Sequence, residues 1–434
     1  KAHAVIDSNS TALAILPSRN HTTFLNLLYQ SPETHLHPFG LFFVFFLLFS
    51  FFCFFDYMSS IQKKAILKRA LGFGLEPVAE MPTQQALGSP LEYFTTEARQ
   101  TETDVSKAND ALGHAKRNVF PIQETYADPS TGLTFNTYYL PPSGPESPLF
   151  VCHHGAGSSG MTFWCLAKHL REHSGKSNAP GVFAFDARGH GEPLSTKEYH
   201  LEAFSRDFGF VISEFVNRNK PENSICLVGH SLGGAVLTDY ITKNPDLDLN
   251  IRGLVIIDIV EETAVQSLLS MTTFLNKRPS SFSSYDDAIK WHLQSRMLRN
   301  EESARISVPE LLVPKNGHFT WKAHLEDMAE SWDTWFANLS QKFLQCNLTK
   351  HKIAKLLILS SNETLDKHLT IGQMQGKFQL VVFNNSTNAG HFLHEDIPSQ
   401  IATSITGFMR RFSPANQCQQ QQKIASLWGG KIHS

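Results

Sequence analysis

A serine between two glycines is the strongest chemical signal in this sequence. Residues 229–233 read Gly-His-Ser-Leu-Gly and match the pattern G-x-S-x-G, with Ser231 at the centre. An apolar run precedes the motif and a helix-forming run follows it. This order is typical of a nucleophile elbow, a sharp turn that holds a serine hydroxyl at the end of a sheet. Because a serine hydroxyl is a weak nucleophile until a base accepts its proton, the motif predicts that the chain also supplies a histidine, a carboxylate and an oxyanion hole.

The histidine that best fits the role of general base is His391. It lies in the segment Asn-Ala-Gly-His-Phe at 388–392, after an apolar run at 378–383 and before a helix-forming run at 399–412. The chain contains 20 histidines, so residue type alone selects none of them. An α/β hydrolase presents its catalytic histidine on the loop after the last strand, and this position favours His391. His394 is the alternative.

Two positions compete for the acid that would orient this histidine. Asp258 ends an apolar run directly after the serine unit, whereas Glu363 and Asp366 follow the next apolar run, at 353–359. The order serine, acid, histidine fits all three residues. An acidic residue at the end of a strand can also be the N-cap of the next helix. The pattern of residues alone therefore leaves the choice between these positions open.

The loop that follows the first apolar strand is the candidate oxyanion hole. It reads His-His-Gly-Ala-Gly at 153–157, and glycine-rich loops at this point donate a backbone N–H group. The second donor would be the N–H group of Leu232, directly after the serine. Two such donors stabilise the negative charge that develops on the carbonyl oxygen of an ester, and losing one typically costs about 10²–10³ in turnover.

The same loop also matches the dinucleotide-binding fingerprint G-x-G-x-x-G, at 155–160, and Asp186 stands where a ribose-binding acid would. Three observations count against this alternative. Two histidines precede the loop, the loop follows a hairpin instead of opening the sheet, and a nucleotide site leaves Ser231 and His391 without a role. We therefore expect Asp186 and Arg188, in the segment Asp-Ala-Arg-Gly-His-Gly, to brace the loop beside the active site.

Apolar runs alternate with helix-forming stretches over most of the chain, which predicts an α/β-hydrolase fold. A turn at 128–132 separates two runs that read as a hairpin, and six further apolar runs follow at 149–152, 182–185, 225–228, 254–257, 353–359 and 378–383. Nearly continuous apolar strands between helices imply a mostly parallel central sheet with helices on both faces. We assign residues 116–260 and 351–413 to this hydrolase core.

Residues 261–350 interrupt the alternation and read as a helical cap inserted between two strands of the sheet. An insertion at this point lies over the carboxyl ends of the strands, where α/β active sites are found, so we expect the cap to cover the serine. It carries four of the six tryptophans, Trp291, Trp321, Trp332 and Trp335. Most of these are expected to form the core of the cap itself.

The overall charge and the cysteine spacing argue against nucleic-acid binding, zinc binding and a disulfide-stabilised fold. The 434 residues include 38 basic and 40 acidic ones, a net charge of −2, whereas nucleic-acid-binding proteins usually carry a basic excess. No nucleic-acid partner is therefore expected. The six cysteines form no C-x-x-C pair, so neither a zinc site nor a disulfide framework is expected, and a reducing compartment is favoured.

The two ends of the chain read differently from its centre. A phenylalanine-rich apolar run at 39–55 has the minimum length of a membrane span, about 17 residues. The chain does not begin with methionine and its first methionine is Met58, so we interpret 1–57 as a doubtful N-terminal extension. The alternative is a signal anchor, and membrane anchoring is expected only if residues 1–57 are a genuine part of the protein. Residues 58–115 read as a polar tail and residues 414–434 as a disordered tail.

Four segments match one family more closely than the general hydrolase pattern does. They are Ile-Asp-Ile-Val-Glu-Glu-Thr-Ala at 257–264, Arg-Met-Leu-Arg-Asn-Glu-Glu-Ser-Ala-Arg at 296–305, Leu-Asp-Lys-His-Leu-Thr-Ile-Gly-Gln-Met-Gln-Gly-Lys-Phe-Gln at 365–379 and Gly-His-Phe-Leu-His-Glu-Asp at 390–396. On these segments the chain resembles the protein phosphatase methylesterases over residues 85–413. Members of that family remove the methyl ester from the C-terminal leucine of the type 2A protein phosphatase catalytic subunit.

The resemblance implies the same activity here, with the catalytic subunit of type 2A protein phosphatase as substrate and binding partner and with a cytoplasmic or nuclear location. It implies Ser231 as the nucleophile, His391 as the general base and Asp258 as the acid. Glu363 and Asp366 would then have structural roles.

The expected donors of the oxyanion hole are the backbone N–H groups of Ala156 and Leu232. Ala156 replaces a glycine of the family's loop, which is tolerable because the donor is a backbone group. Animal members often carry a long acidic insertion in the cap, whereas the region at 309–318 is short here, so no partner contact through that insertion is expected. The chemistry needs no metal and no organic cofactor. An α/β hydrolase for small esters or lipids is the alternative, and a phosphatase-binding protein without catalysis is a third possibility.

Overall fold

The structure of this chain, a computed structural model, describes residues 113, 115–174, 178–191, 197–360, 363–384, 387 and 389–411. All of them lie in one compact unit, Pro90–Ser434. The predicted apolar run at 39–55, nearly all of the polar tail at 58–115 and the tail at 414–434 lie outside the described residues. Within the described part of the chain, no helix combines the length and the apolar character that crossing a membrane requires.

Eleven strands of the described residues form a large mixed sheet and a small separate sheet. They are β1 (Ile122–Ala127), β2 (Thr134–Leu140), β3 (Leu149–His153), β4 (Gly181–Phe185), β5 (Ile225–His230), β6 (Ile251–Ile257), β7 (Ser281–Phe282), β8 (Leu312–Lys315), β9 (His318–Trp321), β10 (Ala354–Ser360) and β11 (Gln379–Phe383). The large sheet has the order β1-β2-β4-β3-β5-β6-β10-β11. β2 pairs antiparallel with β1 and β4, and the other neighbouring strands are parallel. The predicted α/β-hydrolase fold is confirmed.

Helices cover this sheet and fill the insertion between β6 and β10. They are α1 (Trp164–His173), α2 (Leu201–Asn219), α3 (Leu232–Lys243), α4 (Glu261–Lys277), α5 (Tyr285–Gln294), α6 (Glu301–Ser307), α7 (Trp332–Trp335), α8 (Leu339–Gln345), α9 (Lys367–Met374), α10 (Leu393–Asp396) and α11 (Pro398–Arg411).

The central strands have a hydrophobic core on each face. Every residue of β3, β4 and β5 is buried, which explains why their sequences are continuous apolar runs. Successive side chains of a strand point to opposite faces of the sheet. Val151 of β3 accordingly belongs to the core that includes Phe208 of α2, whereas Phe150 belongs to the core with Leu166 of α1 and Ile405 of α11. The two helix layers hold the carboxyl ends of the strands in fixed relative positions.

Residues 261–350 form α4 to α8 and the small sheet, in the order β7-β9-β8. Trp291 and Trp321 pack together in a hydrophobic cluster of this insertion, with ring centroids 6.0 Å apart. Trp332 and Trp335 instead belong to the core on the α2 face of the main sheet. The expectation that most of these tryptophans form the core of the cap is therefore wrong for these two, because the last part of the insertion returns to the sheet before β10 begins.

The sequence patterns do not predict the small sheet. Its strands are two to four residues long, which is too short for an alternation of apolar and polar residues to show. One signal for it is present, since Asn316 and Gly317 connect β8 to β9 and Lys315 pairs with His318. Their φ values of 52° and 78° are those of a type I′ hairpin turn, for which Asn-Gly is the preferred sequence.

Candidate active site

Ser231 lies on a strained turn between the end of β5 and the first residue of α3. Its φ of 51° and ψ of −121° are values that a residue with a side chain rarely adopts. The Ser231 N–H donates to the Ile257 carbonyl oxygen at 3.0 Å, and the Ser231 carbonyl oxygen accepts from the Gly234 N–H at 2.9 Å. Such strain persists only where the surrounding structure imposes it, and it is concentrated at functional sites. The turn has the geometry of a nucleophile elbow.

The two glycines of the motif are required by close backbone approach. A Cβ atom at Gly229 would lie 2.5 Å from the Gly234 nitrogen, and one at Gly233 would lie 2.1 Å from the carbonyl oxygen of His153. Both distances are shorter than any real Cβ contact. The backbones of β5, α3 and the loop after β3 therefore touch directly, and this contact places the candidate oxyanion loop against the serine turn.

Asp258 lies directly after β6 and is joined to His391. Its Oδ2 accepts from Nδ1 of His391 at 2.9 Å, and its Oδ1 accepts from the Ser360 N–H at 2.6 Å. The residue has a positive φ of 52°, and its own N–H donates to the Ile358 carbonyl oxygen at 2.8 Å. β6 and β10 are adjacent parallel strands, so their carboxyl ends lie side by side at one edge of the sheet. This places Asp258, directly after β6, next to Ser360 at the end of β10. Only 2% of the Asp258 side chain is exposed, so the carboxylate is held in one orientation.

The competing acids lie close by but have other partners. Glu363 accepts a hydrogen bond from the Thr263 hydroxyl on α4, and burial raises the pKa of Glu363. Asp366 is the N-cap of α9, where its side chain accepts from the Leu369 N–H at 2.9 Å. A hydrogen bond from an N–H group of the first turn is the usual function of aspartate at this position. The structure therefore brings Asp258, and neither of the other two acids, into contact with the histidine.

His391 lies on the turn after β11 and presents its ring towards solvent. About half of the side chain, 46%, is exposed. Its Nδ1 faces Asp258, so Nε2 is the nitrogen that remains free to accept a proton. His230, the residue before the serine, donates from Nε2 to the His391 carbonyl oxygen at 2.9 Å, and the two rings are 4.6 Å apart. Among the described residues no hydrogen bond reaches the Ser231 hydroxyl, and in free enzymes the bond from nucleophile to base is often long until substrate binds.

His394, the alternative base, is enclosed within the protein. Its side chain is completely buried, and its Nε2 lies 2.8 Å from the hydroxyl of Thr162. Burial lowers the pKa of His394 to about 3. The next residue, Glu395, accepts from the hydroxyls of Thr162 and Ser303, and burial raises its pKa to about 7. His394 and Glu395 therefore tie the turn that carries His391 to the segment after the oxyanion loop and to α6.

The candidate oxyanion loop borders the serine directly. A Cβ atom at Gly155 would lie 3.0 Å from Cβ of Ser231, so the loop has no space for a side chain at this point. Ala156 is the next residue and is half-buried. Leu232 is the first residue of α3, and the N–H groups of the first helical turn have no partner within the helix. Both expected donors therefore belong to segments that border Ser231.

Comparison with known proteins gives the family. Residues 148–398 match the model of the alpha/beta hydrolase fold. Protein phosphatase methylesterase 1 of Debaryomyces hansenii is 44% identical over 392 residues, which cover 87% of this chain and 100% of the relative. The proteins of the same name from Candida albicans and Saccharomyces cerevisiae are 46% and 35% identical, over 72% and 82% of this chain and over 82% and 89% of their own lengths. The chain belongs to the protein phosphatase methylesterase family. Family membership makes it a carboxylic ester hydrolase.

Solved structures support the fold of this family member. The crystal structure of E-2-(acetamidomethylene)succinate hydrolase superposes with a TM-score of 0.53 at 21% identity, and it covers 67% of this chain and 99% of its own. A peroxisomal α/β-hydrolase of Saccharomyces cerevisiae superposes with a TM-score of 0.50 at 13% identity, over 72% and 99% of the two chains. At these identities the similarity concerns the fold alone.

Asp186 and Arg188 have structural partners in this member of the methylesterase family. Asp186 Oδ1 accepts from the Gly160 N–H at 2.8 Å, and Oδ2 accepts from the Tyr138 hydroxyl at 2.9 Å. Arg188 forms a two-pronged ion pair with Asp207, in which Nη2 lies 2.6 Å from Oδ1. Both side chains are almost completely buried, so neither presents a free group to a nucleotide ribose.

Sequence reasoning missed four buried histidines around the site, His153, His154, His190 and His230. Each is at most 2% exposed. Burial lowers the pKa of His153 and of His190 to about 4, and it lowers the pKa of His154 and of His230 well below the ordinary value. All four are therefore neutral at pH 7. All four lie inside the three glycine-containing motifs, at 153–157, 186–191 and 229–233. This position was the available signal that these histidines have a role in the structure of the site.

Proposed function

We propose that this chain is a serine carboxylesterase that removes the methyl ester from the C-terminal leucine of the type 2A protein phosphatase catalytic subunit. The observation that carries the proposal is the hydrogen bond of 2.9 Å between His391 and the buried Asp258, at the same sheet edge as the strained Ser231. The names of the curated relatives support a phosphatase methyl ester as the substrate.

The reaction would begin with proton transfer from Ser231 to Nε2 of His391 as the serine oxygen attacks the ester carbonyl carbon. The carbonyl oxygen then becomes an oxyanion, which the N–H groups of Ala156 and Leu232 stabilise. His391 returns the proton to the methoxy group, the carbon–oxygen bond breaks and methanol leaves. A water molecule, activated by the same histidine, hydrolyses the acyl-enzyme and regenerates the serine. Asp258 keeps the imidazole in the tautomer with hydrogen on Nδ1 and stabilises its charged form.

The same geometry supports a substrate that is the end of a protein chain. A C-terminal residue lies at the end of an extended segment, and the ester must reach His391 without the remainder of the protein entering the site. The exposed face of His391 fits such access. The four described cysteines, Cys152, Cys165, Cys226 and Cys346, are unpaired, which fits a reducing compartment such as the cytoplasm or the nucleus.

Incubation of the protein with the methylated catalytic subunit of type 2A phosphatase tests the proposal. We expect loss of the methyl ester, measured as a change of 14 Da in the mass of the C-terminal peptide, and labelling of Ser231 by a fluorophosphonate probe. Ser231→Ala should abolish both signals, whereas Ser267→Ala on the exposed face of α4 should change neither. Hydrolysis of short acyl esters without demethylation would favour the small-ester alternative. Binding of the phosphatase without probe labelling would favour a protein that does not catalyse the reaction.

A further inference from the structure

We propose that His154 and His190 are positioning residues of the oxyanion hole, each holding one of the two peptide units that flank Ala156. The inference rests on the proposed function, because it concerns the same donor group. It assigns a role to two buried histidines that do not contact the reacting atoms. The residues in question are the second histidine of the loop after β3 and the histidine of the loop after β4.

His154 holds the peptide unit that contains the Ala156 N–H. Its Nδ1 lies 2.8 Å from the carbonyl oxygen of Gly155, and this oxygen also accepts from the Ser158 N–H at 3.2 Å. The Gly155 carbonyl and the Ala156 N–H belong to one planar trans peptide, so they point in opposite directions. Fixing the oxygen on one side therefore aims the N–H group on the other side. A hydrogen bond to the carbonyl also polarises the peptide and strengthens its N–H as a donor.

His190 holds the next peptide unit. The Gly157 N–H donates to Nε2 of His190 at 2.8 Å, and Nδ1 of His190 donates to the Arg188 carbonyl oxygen at 2.8 Å. The carbonyl of this peptide unit belongs to Ala156. With both flanking units fixed, rotation about the Ala156 backbone bonds is blocked, and the direction of its N–H is set before substrate arrives. Preorganised donors of this kind stabilise a transition state without a cost of reorientation.

The two histidines are arranged reciprocally between neighbouring loops. His154 lies on the loop after β3 and accepts at Nε2 from the Ala187 N–H, at 2.9 Å, on the loop after β4. His190 lies on the loop after β4 and accepts from Gly157 on the loop after β3. Their rings meet edge to face with centroids 4.9 Å apart. Since each ring donates from one nitrogen and accepts at the other, only the neutral imidazole satisfies both bonds.

Two substitutions of equal length separate a hydrogen-bond role from simple packing. In His190→Gln the amide oxygen can occupy the position of Nε2 and accept from Gly157, whereas His190→Met fills similar space without an acceptor. We expect H190M to lower kcat by about 10- to 100-fold with KM changed less than about threefold, because loss of a complete oxyanion donor costs about 10²–10³. H190Q should keep kcat within about fivefold of the parent.

The matched control is His292→Met on α5. His292 is equally buried, at 3% exposure, and its Nδ1 donates to the Ala288 carbonyl oxygen at 2.8 Å, but it lies in the cap. This variant should lose thermal stability without losing kcat. For all variants, kcat and KM are measured on the methylated phosphatase subunit and on p-nitrophenyl acetate. The inhibition constant of an alkylboronic acid is measured as well, because the tetrahedral adduct of this inhibitor places an oxygen in the oxyanion hole. The boronic acid should bind more weakly to H190M by about the factor lost in kcat.

Equal kcat values for folded H190M and H190Q would overturn the inference. A loss of kcat that tracks thermal stability equally in the His190 and His292 variants would also overturn it, because the role would then be structural only. If the parent enzyme hydrolyses neither ester, the proposed function fails instead, and the two failures are thereby distinguished.

Discussion

Replacing Asp258 by asparagine should remove most of the activity, whereas replacing Glu363 by glutamine should leave it nearly unchanged. Asp258 accepts two hydrogen bonds, from His391 at Oδ2 and from the Ser360 N–H at Oδ1. An asparagine has one oxygen and one NH₂ group, so one of these two donors must face another donor. Either the Ser360 bond is lost, or the imidazole turns to the tautomer that carries its hydrogen on Nε2. In that tautomer the histidine cannot accept the proton of the serine.

The size of the effect follows from this choice. A histidine held in the wrong tautomer lowers kcat by about 10³–10⁴-fold in serine hydrolases, which corresponds to about 4–5.5 kcal/mol of transition-state stabilisation. Glu363 accepts from the Thr263 hydroxyl, and the amide oxygen of glutamine can accept the same bond. We therefore expect Glu363→Gln to change kcat by less than about threefold, or below ~0.7 kcal/mol.

Steady-state hydrolysis of p-nitrophenyl acetate and demethylation of the phosphatase subunit measure both effects. Thermal unfolding shows whether each variant is folded, and the rate of fluorophosphonate labelling reports the reactivity of Ser231 separately from substrate binding. The Asp258→Asn variant should keep its melting temperature within a few degrees while labelling slows in proportion to kcat. If Glu363→Gln is the more damaging of the two changes in folded protein, Asp258 is not the acid and the proposed mechanism is wrong.

Three further outcomes follow from the structure. Burial lowers the pKa of His153 and of His292 from 6.5 to about 4. The free energy of unfolding that each neutral histidine contributes is therefore complete above pH 6.5 and is lost as pH falls towards 4, by about 3 kcal/mol per group. Acid titration followed by circular dichroism should show unfolding in this window and not at pH 7–8. Arg188→Ala leaves a buried carboxylate without its partner and should cost about 3–5 kcal/mol in urea unfolding; a cost below ~1 kcal/mol would contradict this account. Gly233→Ala should abolish probe labelling, because its Cβ has no space, whereas Gly407→Ala in α11, with nothing within 4 Å, should stabilise the fold by about 0.5–1 kcal/mol.

The alternation of apolar runs and helices was sufficient to predict the sheet. Strands that are buried on both faces must be continuously apolar, and this pattern is visible without any knowledge of their neighbours. The serine motif was equally clear. Its two glycines are required because a Cβ atom at either position would lie within 2.5 Å of a backbone atom in a segment that is next to it in the chain or in the sheet. The short strands β7 to β9 were missed since two to four residues contain no measurable period.

The choice of acid could not be made from the pattern of residues. Asp258 and Glu363 both follow apolar strands, and each position also has a structural explanation. The resemblance to a family favoured Asp258, and the structure shows that its carboxylate is the one that meets the histidine. Asp258 directly follows β6, and β6 lies beside β10 in the sheet. A local sequence pattern contains no information on that adjacency.

Sequence alone was sufficient to predict a mostly parallel sheet with a serine on a sharp turn, since continuous apolar runs and the G-x-S-x-G motif are both visible within short stretches of the chain. Tertiary structure decided which of the 20 histidines meets which carboxylate, since His391 and Asp258 are 133 residues apart in the chain. It also showed that His154 and His190 form hydrogen bonds with the two peptide units that flank Ala156. These contacts join loops at the ends of different strands, and their geometry is set by the packing of the whole sheet.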